Sequence, residues 1–495
     1  MTTDKATINR LATGVPGLDE VLNGGLPEYS FNIIAGPPGC GKTTLAHQIM
    51  FALATSERPA LYFTVLGEPP LKMLRYQQQF DYFDSDKINN AIRFINLGDV
   101  MAGGDLEKVL ERIVAAVETY APSLVFVDSF RSVVLASQSN GNAFISLQQF
   151  IQQLGLLMTS WQATTFLIGE YFTEHDPNPV FTVADGLIWL RQSMERNSMV
   201  RKMEVMKMRG QSTLPGLHTF RITAAGIHVF APVRPAPSAE TASPWPIRDR
   251  LSMGIPALDE MMGGGLPRGY SLLIAGPSGS GKSIMASAFL AEGARAGETG
   301  VIATFEQRAS RSRGHAIDEL IVNGRIGVID TRAADLSVDE IATLIVAEVR
   351  RLKASRVVID SLSGFELTLA PTFREDFRES MARMVAVLAG TGATVLMTSE
   401  LEDRYDDLRF SPYGTAFLTD AIIVQRYIEV DSRLRRVLAV VKVRGSTHSD
   451  ELRLFQIDDD GIRIGEMLSD REGLLGGRPT RRREHHDSQR QITEN

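Results

Sequence analysis

The 495-residue chain is 44% hydrophobic and 22% charged, an ordinary globular mixture with material for several large cores. Its net charge of −7 argues against a protein that coats nucleic acid, which needs a basic stripe, and its single cysteine, Cys40, excludes an internal disulfide. No apolar run approaches the roughly 20 residues that cross a bilayer, and the polar start Met1-Thr-Thr-Asp-Lys5 has no signal-peptide core behind it, so a cytoplasmic protein is expected.

Near the start stand Gly14-Val-Pro-Gly-Leu-Asp-Glu20 and Gly24-Gly-Leu-Pro27. Residues 30–35 are short, apolar and bounded by turn residues, which predicts a buried strand. The strand runs into Gly36-Pro-Pro-Gly-Cys-Gly-Lys-Thr43, a G-x-x-x-x-G-K-[ST] loop that opens a helical stretch. A further strand leads to Glu68. Leu106 to Tyr120 predicts a helix with Leu106, Val109, Leu110, Ile113, Val114 and Val117 on one face. Leu124–Val127 predicts a strand that delivers Asp128, and Phe166-Leu-Ile-Gly-Glu170 predicts another. Closely spaced strands at 186–190, 202–208 and 219–222 then predict an antiparallel extension.

Residues 231–246 are rich in proline, which prevents helix and central strand alike and predicts an extended linker. The pattern then repeats. Gly254-Ile-Pro-Ala-Leu-Asp-Glu260, Gly264-Gly-Leu-Pro267 and Gly276-Pro-Ser-Gly-Ser-Gly-Lys-Ser283 all return at one offset of 240 residues. Glu306, Asp360, Glu400 and Lys442-Val-Arg-Gly445 follow in the order of Glu68, Asp128, Glu170 and Lys207-Met-Arg-Gly210. The chain is a duplication. The expected domains are residues 1–230 and 251–468, joined by a linker at 231–250 and followed by a disordered basic tail at 469–495. Strands alternating with helices predict an α/β class: mostly parallel central sheets with helices on both faces.

The repeated loop specifies phosphate binding. Glycines let backbone N–H groups converge on phosphate oxygens, and the helix start adds positive potential. The expected nucleotide-binding residues are Gly36, Pro37, Pro38, Gly39, Cys40, Gly41, Lys42, Thr43 and Thr44, then Gly276, Pro277, Ser278, Gly279, Ser280, Gly281, Lys282 and Ser283. Lys42 and Lys282 would reach the β- and γ-phosphates of ATP, with Thr43 and Ser283 on Mg2+. Asp128 and Asp360 end apolar strands and are assigned as the Walker B carboxylates of that metal. Glu68 and Glu306 are the candidates for orienting the attacking water, whereas Glu170 and Glu400 at further strand ends admit two readings, sensors or surface carboxylates. Cys40 admits two readings: a small residue that fits, or a thiol whose oxidation blocks phosphate entry.

This ordered set, twice over between about residues 10 and 465, resembles the KaiC family. The resemblance implies tandem RecA-like P-loop domains assembled as a homohexameric double ring, with ATP between neighbouring subunits. It also implies that Lys207, Arg209, Lys442 and Arg444 reach the neighbour's γ-phosphate. On a regular strand Lys207 and Arg209 would share one face with Met206 and Met208 on the other, and Lys442 and Arg444 would stand likewise opposite Val441 and Val443.

Two departures stand out. Ala416 and Phe417 occupy the positions where autokinase members carry an adjacent Ser-Thr acceptor pair, and Glu306-Gln307 and Gly67-Glu68 replace paired glutamates. The leading expectation is a hexameric slow ATPase that times or switches binding of an unidentified signalling protein. The runner-up is a Ser/Thr autokinase using a hydroxyl near Thr415 or Thr419, and a DNA motor comes third.

Overall fold

The computed structural model describes residues 8–65, 70–101, 106–137, 143–172, 179–195, 198–233, 249–305, 315–330, 336–369, 377–401, 418–430, 432–459, 461–467, 471–472 and 480–481. The chain divides into two compact units, Met1–Pro232 and Val233–Asn495.

The first unit opens with two short strands, β1 (Arg10–Leu11) and β2 (Leu26–Pro27), paired antiparallel. The motif between them is structural. Asp19 Oδ1 accepts from Thr13 N (2.8 Å) and its carbonyl from Gly24 N (2.7 Å), which closes the loop on itself. Gly17 sits at φ 77°, and a Cβ there would lie 1.8 Å from the Val229 carbonyl oxygen.

Nine strands follow: β3 (Phe31–Gly36), β4 (Ala60–Thr64), β5 (Ile92–Asn96), β6 (Leu124–Asp128), β7 (Thr164–Glu170), β8 (Gly186–Glu195), β9 (Ser198–Met208), β10 (His218–Thr223) and β11 (Gly226–Phe230). They form one sheet in the order β11-β10-β9-β8-β3-β7-β6-β4-β5. Pairing is parallel from β8 to β5 and antiparallel from β8 to β11, so the expected extension is present. The strand predicted from residue 30 begins one residue later, because the Ser30 hydroxyl donates to Pro27 O (2.6 Å) and holds the turn.

Period-two alternation splits the apolar residues of these strands between two cores. Ile34, Tyr62, Phe126 and Ile168 face the helix Lys42–Leu53, whereas Ile33, Phe63, Val127 and Leu167 face the helices Leu106–Tyr120 and Ala143–Ser160. Helix Leu106–Tyr120 has the predicted bounds, and its buried face includes Ala116 while Val114 is only half-buried.

The second unit repeats this plan. β12 (Arg250–Leu251) pairs with β13 (Leu266–Pro267), and nine strands follow: β14 (Ser271–Gly276), β15 (Gly300–Thr304), β16 (Ile326–Asp330), β17 (Arg356–Asp360), β18 (Thr394–Glu400), β19 (Ala421–Val430), β20 (Arg433–Val443), β21 (Arg453–Asp458) and β22 (Gly461–Met467). Their order, β16-β15-β17-β18-β14-β19-β20-β21-β22, is that of the first sheet read from its other edge. Within 469–495 the described residues are Arg471–Glu472 and Thr480–Arg481, paired antiparallel as β23 and β24. Linker residues 234–248 lie outside the described residues.

Candidate functional site

The geometry starts at the loop between β3 and its helix. Gly41, the residue before helix Lys42–Leu53, has φ 104° and ψ 15° and offers no side-chain cap; Gly281, before helix Lys282–Arg295, has φ 106° and ψ 14°. Helix-start N–H groups are therefore left to a ligand, beside the positive end of the helix dipole. A Cβ on Gly41 would come within 2.8 Å of Ile222 Cδ1, and one on Gly281 within 2.5 Å of Ile457 Cδ1. Lys42 Nζ donates to Pro37 O (2.8 Å); Lys282 Nζ donates to Gly276 O (2.8 Å) and Pro277 O (2.7 Å). In the first unit a cleft of 340 Å³ gathers Gly39, Gly41, Lys42, Thr43, Thr44, Thr64, Asp128 and Glu170.

The structure brings Asp128 to Thr43: Thr43 Oγ1 donates to Asp128 Oδ2 at 2.8 Å. Desolvation raises the Asp128 pKa above the usual carboxylate range, against hydrogen bonds from Tyr62 and Thr43 and the Lys42 charge. Glu170 is exposed at the end of β7, beside β6, and its charge adds to the upward shift. In the second unit Asp360 accepts from Thr398 Oγ1, and among the described residues no hydrogen bond joins it to Ser283. Glu400 is exposed, and its N–H donates to Ser363 Oγ (3.1 Å).

Glu68 and Glu306 lie outside the described residues, but the flanking strands correct their equivalence. Thr64 pairs with Asp128 and Thr304 with Asp360, so these threonines are matching positions. Glu306 follows its threonine by two residues, whereas Glu68 follows by four and Leu66 stands at the matching position.

The Lys-x-Arg segments depart from a regular strand. β9 pairs Lys207 with Leu187 and then Val205 with Ile188, so Met206 is the extra residue of a β-bulge. Met206 is therefore 39% exposed while Met208 is 9% exposed, so the two do not share a face. β20 has the same bulge at Val441, between Lys442 opposite Ile422 and Val440 opposite Ile423. Arg209 and Arg444 follow the last residues of β9 and β20. Each donates its N–H to an aspartate carbonyl, Asp185 or Asp420, and each guanidinium meets that aspartate's carboxylate at 3.2 or 3.3 Å. Burial lowers the Lys207 and Lys442 pKa values, the adjacent arginines lower them further, and the aspartates partly oppose this.

Asp185 N bonds to Phe31 O and Asp420 N to Ser271 O. Arg209 is thus level with the first residue of β3, and Arg444 with the first of β14. The phosphate loops leave from the other ends, five residues on, which is roughly 16 Å at a strand rise of about 3.3 Å. These arginines occupy the sheet end opposite their own unit's loop.

Several contacts were not foreseen. Tyr62 OH donates to Asp128 Oδ2 (2.7 Å). The run 60–64 is buried throughout, and a buried phenol needs an acceptor, which was the available signal. Gln192 Nε2 donates to Pro38 O (2.9 Å), and Tyr427 OH reaches the matching Ser278 O (3.4 Å). Ser280 Oγ donates to Gln425 Oε1 (2.8 Å), while Cys40 and Leu190, both fully buried, hold the corresponding places. Cys40 is fully buried, and burial pushes its thiol up despite Lys42, which favours the reading of a small residue that fits. Thr419 is fully buried, and Thr415 lies outside the described residues.

No described helix is long and apolar enough to cross a membrane. A family model for the KaiC ATPase matches residues 11–234 and again 251–469. The chain is 27% identical over 488 residues to the circadian clock oscillator protein KaiC of Rippkaea orientalis, across 96% of this chain and 92% of that protein. It is similarly 27% identical over 492 residues to circadian clock oscillator protein KaiC 1 of Synechocystis sp., with the same coverage. Identity to the Prochlorococcus marinus KaiC is 26% over 492 residues, covering 96% of each chain.

Proposed function

The chain belongs to the KaiC ATPase family, and from that premise we propose a cytoplasmic homohexameric double ring that hydrolyses ATP slowly between subunits. Its turnover would switch binding of a signalling protein, a timing role suggested by the names of its relatives. The domains in this reading are residues 1–230 and 251–468, with 231–250 as linker and 469–495 as tail.

The observation that carries the reading is the meeting of Thr43 and Asp128 at the mouth of the phosphate loop, 2.8 Å apart. Both are hard oxygen donors, the set that Mg2+ takes, and Ser283 and Asp360 supply the same types in the second unit. Loop N–H groups bind the phosphates while Lys42 and Lys282 supply point charges. Bound magnesium would neutralise charge on the transferring phosphoryl group. Glu306, and in the first unit Glu68 from its shifted position, are assigned to orient water. Lys207, Arg209, Lys442 and Arg444 act on a neighbour's phosphates, a role supported by their place at the far sheet end.

The test is nucleotide stoichiometry with γ-labelled ATP. Lys42→Ala and Lys282→Ala should each remove one class of site, the double variant should bind almost nothing, and label should leave as free phosphate. Full occupancy in the double variant would refute the site assignment. Label retained on the protein would replace the ATPase reading with autokinase.

A further inference from the structure

The two units hold the same carboxylate from opposite sides. Tyr62 lies on β4, one neighbour of β6, and donates to Asp128. Register makes Ile302 its counterpart, since Tyr62 pairs with Phe126 and Ile302 with Val358, each two residues before the paired aspartate position. In the second unit the donor to Asp360 is Thr398, on the other neighbouring strand, β18. Its counterpart in the first unit is Ile168, because Ile34 pairs with Ile168 as Ile274 pairs with Thr398. Neither isoleucine can donate.

The phenol is held in place before it bonds. His47, four residues after Thr43 on the same helix, packs its ring at 90° to Tyr62 with centroids 4.6 Å apart. Phe126 stacks at 5.9 Å and Phe94 lies tilted at 5.4 Å. Burial depresses His47 to about 3, so it packs as a neutral ring near neutral pH. In this cage the Tyr62 hydroxyl is aimed at Oδ2, the oxygen that also accepts from Thr43. When Asp128 is ionised, this 2.7 Å bond is of the stronger, charge-assisted kind.

We propose that Tyr62 is a positioning residue that sets divalent-cation affinity at the first site, a task given to Thr398 at the second. This rests on reading Asp128 and Asp360 as the magnesium carboxylates. The two sites can thus be tuned separately through side chains that bond to the carboxylates.

The test uses the full chain with one site class removed, a fluorescent ATP analogue, and a Mg2+ titration of analogue binding. In the Lys282→Ala parent, Tyr62→Phe keeps the ring cage and removes only the hydroxyl. The half-saturating Mg2+ concentration should rise about tenfold, equivalent to about 1.4 kcal/mol, while Thr398→Val leaves it unchanged. Adding Ile168→Thr to Tyr62→Phe should restore part of the loss, which a merely structural defect would not allow. In the Lys42→Ala parent the pattern should reverse: Thr398→Val shifts the midpoint and Tyr62→Phe does not. Shifts below twofold for both variants in their own parents, with each parent binding half the analogue, would overturn the inference alone. Full stoichiometry in the parents would overturn the site reading and this inference with it.

Discussion

Replacing Arg209 by Ala should separate rate from stability by a wide margin. Its guanidinium is 59% exposed and holds Asp185 at 3.2 Å, and such surface pairs contribute about 1 kcal/mol or less. A cation acting on a transferring phosphoryl group is worth about 10³ or more in rate, about 4 kcal/mol. Arg209→Ala should therefore leave thermal unfolding nearly unmoved and slow first-site hydrolysis by about 10³. The defect cannot lie at the same subunit's phosphates, since Arg209 sits level with Phe31 while its loop departs after Gly36, roughly 16 Å along the strand. In a Lys282→Ala background, where only the first site turns over, Arg209→Ala subunits should be mixed with Lys42→Ala subunits. In a head-to-tail ring, roughly a quarter of interfaces then combine a sound loop with a sound arginine, so activity should recover to about a quarter of the parent value. If the mixture never exceeds either variant although subunits demonstrably exchange, the in-trans assignment is wrong. Arg209 would then be a solvated residue paired with Asp185.

Other expectations follow from single contacts. Cys40 should resist peroxide and alkylating reagents in the native protein, with no loss of ATP binding by the Lys282→Ala variant; rapid modification would contradict its burial. Cys40→Ser places a hydroxyl against Leu190 and should destabilise the first unit by about 1–2 kcal/mol. The pair Cys40→Ser/Leu190→Gln, which copies Ser280 and Gln425, should regain much of that loss in a double-mutant denaturation cycle. Glu298 accepts from Arg356 Nε at 2.6 Å and Arg268 at 2.8 Å, and the Arg356 side chain is 3% exposed. Glu298→Gln should cost the second unit about 3 kcal/mol in urea unfolding, because the arginine stays buried. Burial opposes ionisation of Glu298, but the two arginines outweigh it and hold its pKa below 4.5. Its stabilisation is therefore present above pH 4.5 and is lost as pH falls through the depressed value, so wild type and Glu298→Gln should converge in acid. A gap that persists there would point to packing instead of charge.

What the chain order determined is whatever physics keeps local. The phosphate loops are contiguous, and their glycines, lysine and hydroxyl need only the following helix to be aimed. The helix Leu106–Tyr120 and the buried strands were legible because a residue's period along the chain selects the face it shows. The duplication was legible because two copies of one fold keep one spacing. The tertiary structure decided everything that depends on which strands become neighbours. Tyr62 and Thr398 occupy non-matching positions, and only the sheet order brings each to an aspartate. Ser280 with Gln425, and Cys40 with Leu190, are matched pairs separated by about 150 residues, invisible until β8 and β19 lie beside the loops. The bulges at Met206 and Val441 broke the expected alternation around the Lys-x-Arg segments, because an extra unpaired residue in one strand no longer follows the period of two. The mismatch of Glu68 with Glu306 emerged only when strand pairing aligned Thr64 with Thr304, since similar residue types two positions apart look equivalent until a hydrogen-bonded register counts them.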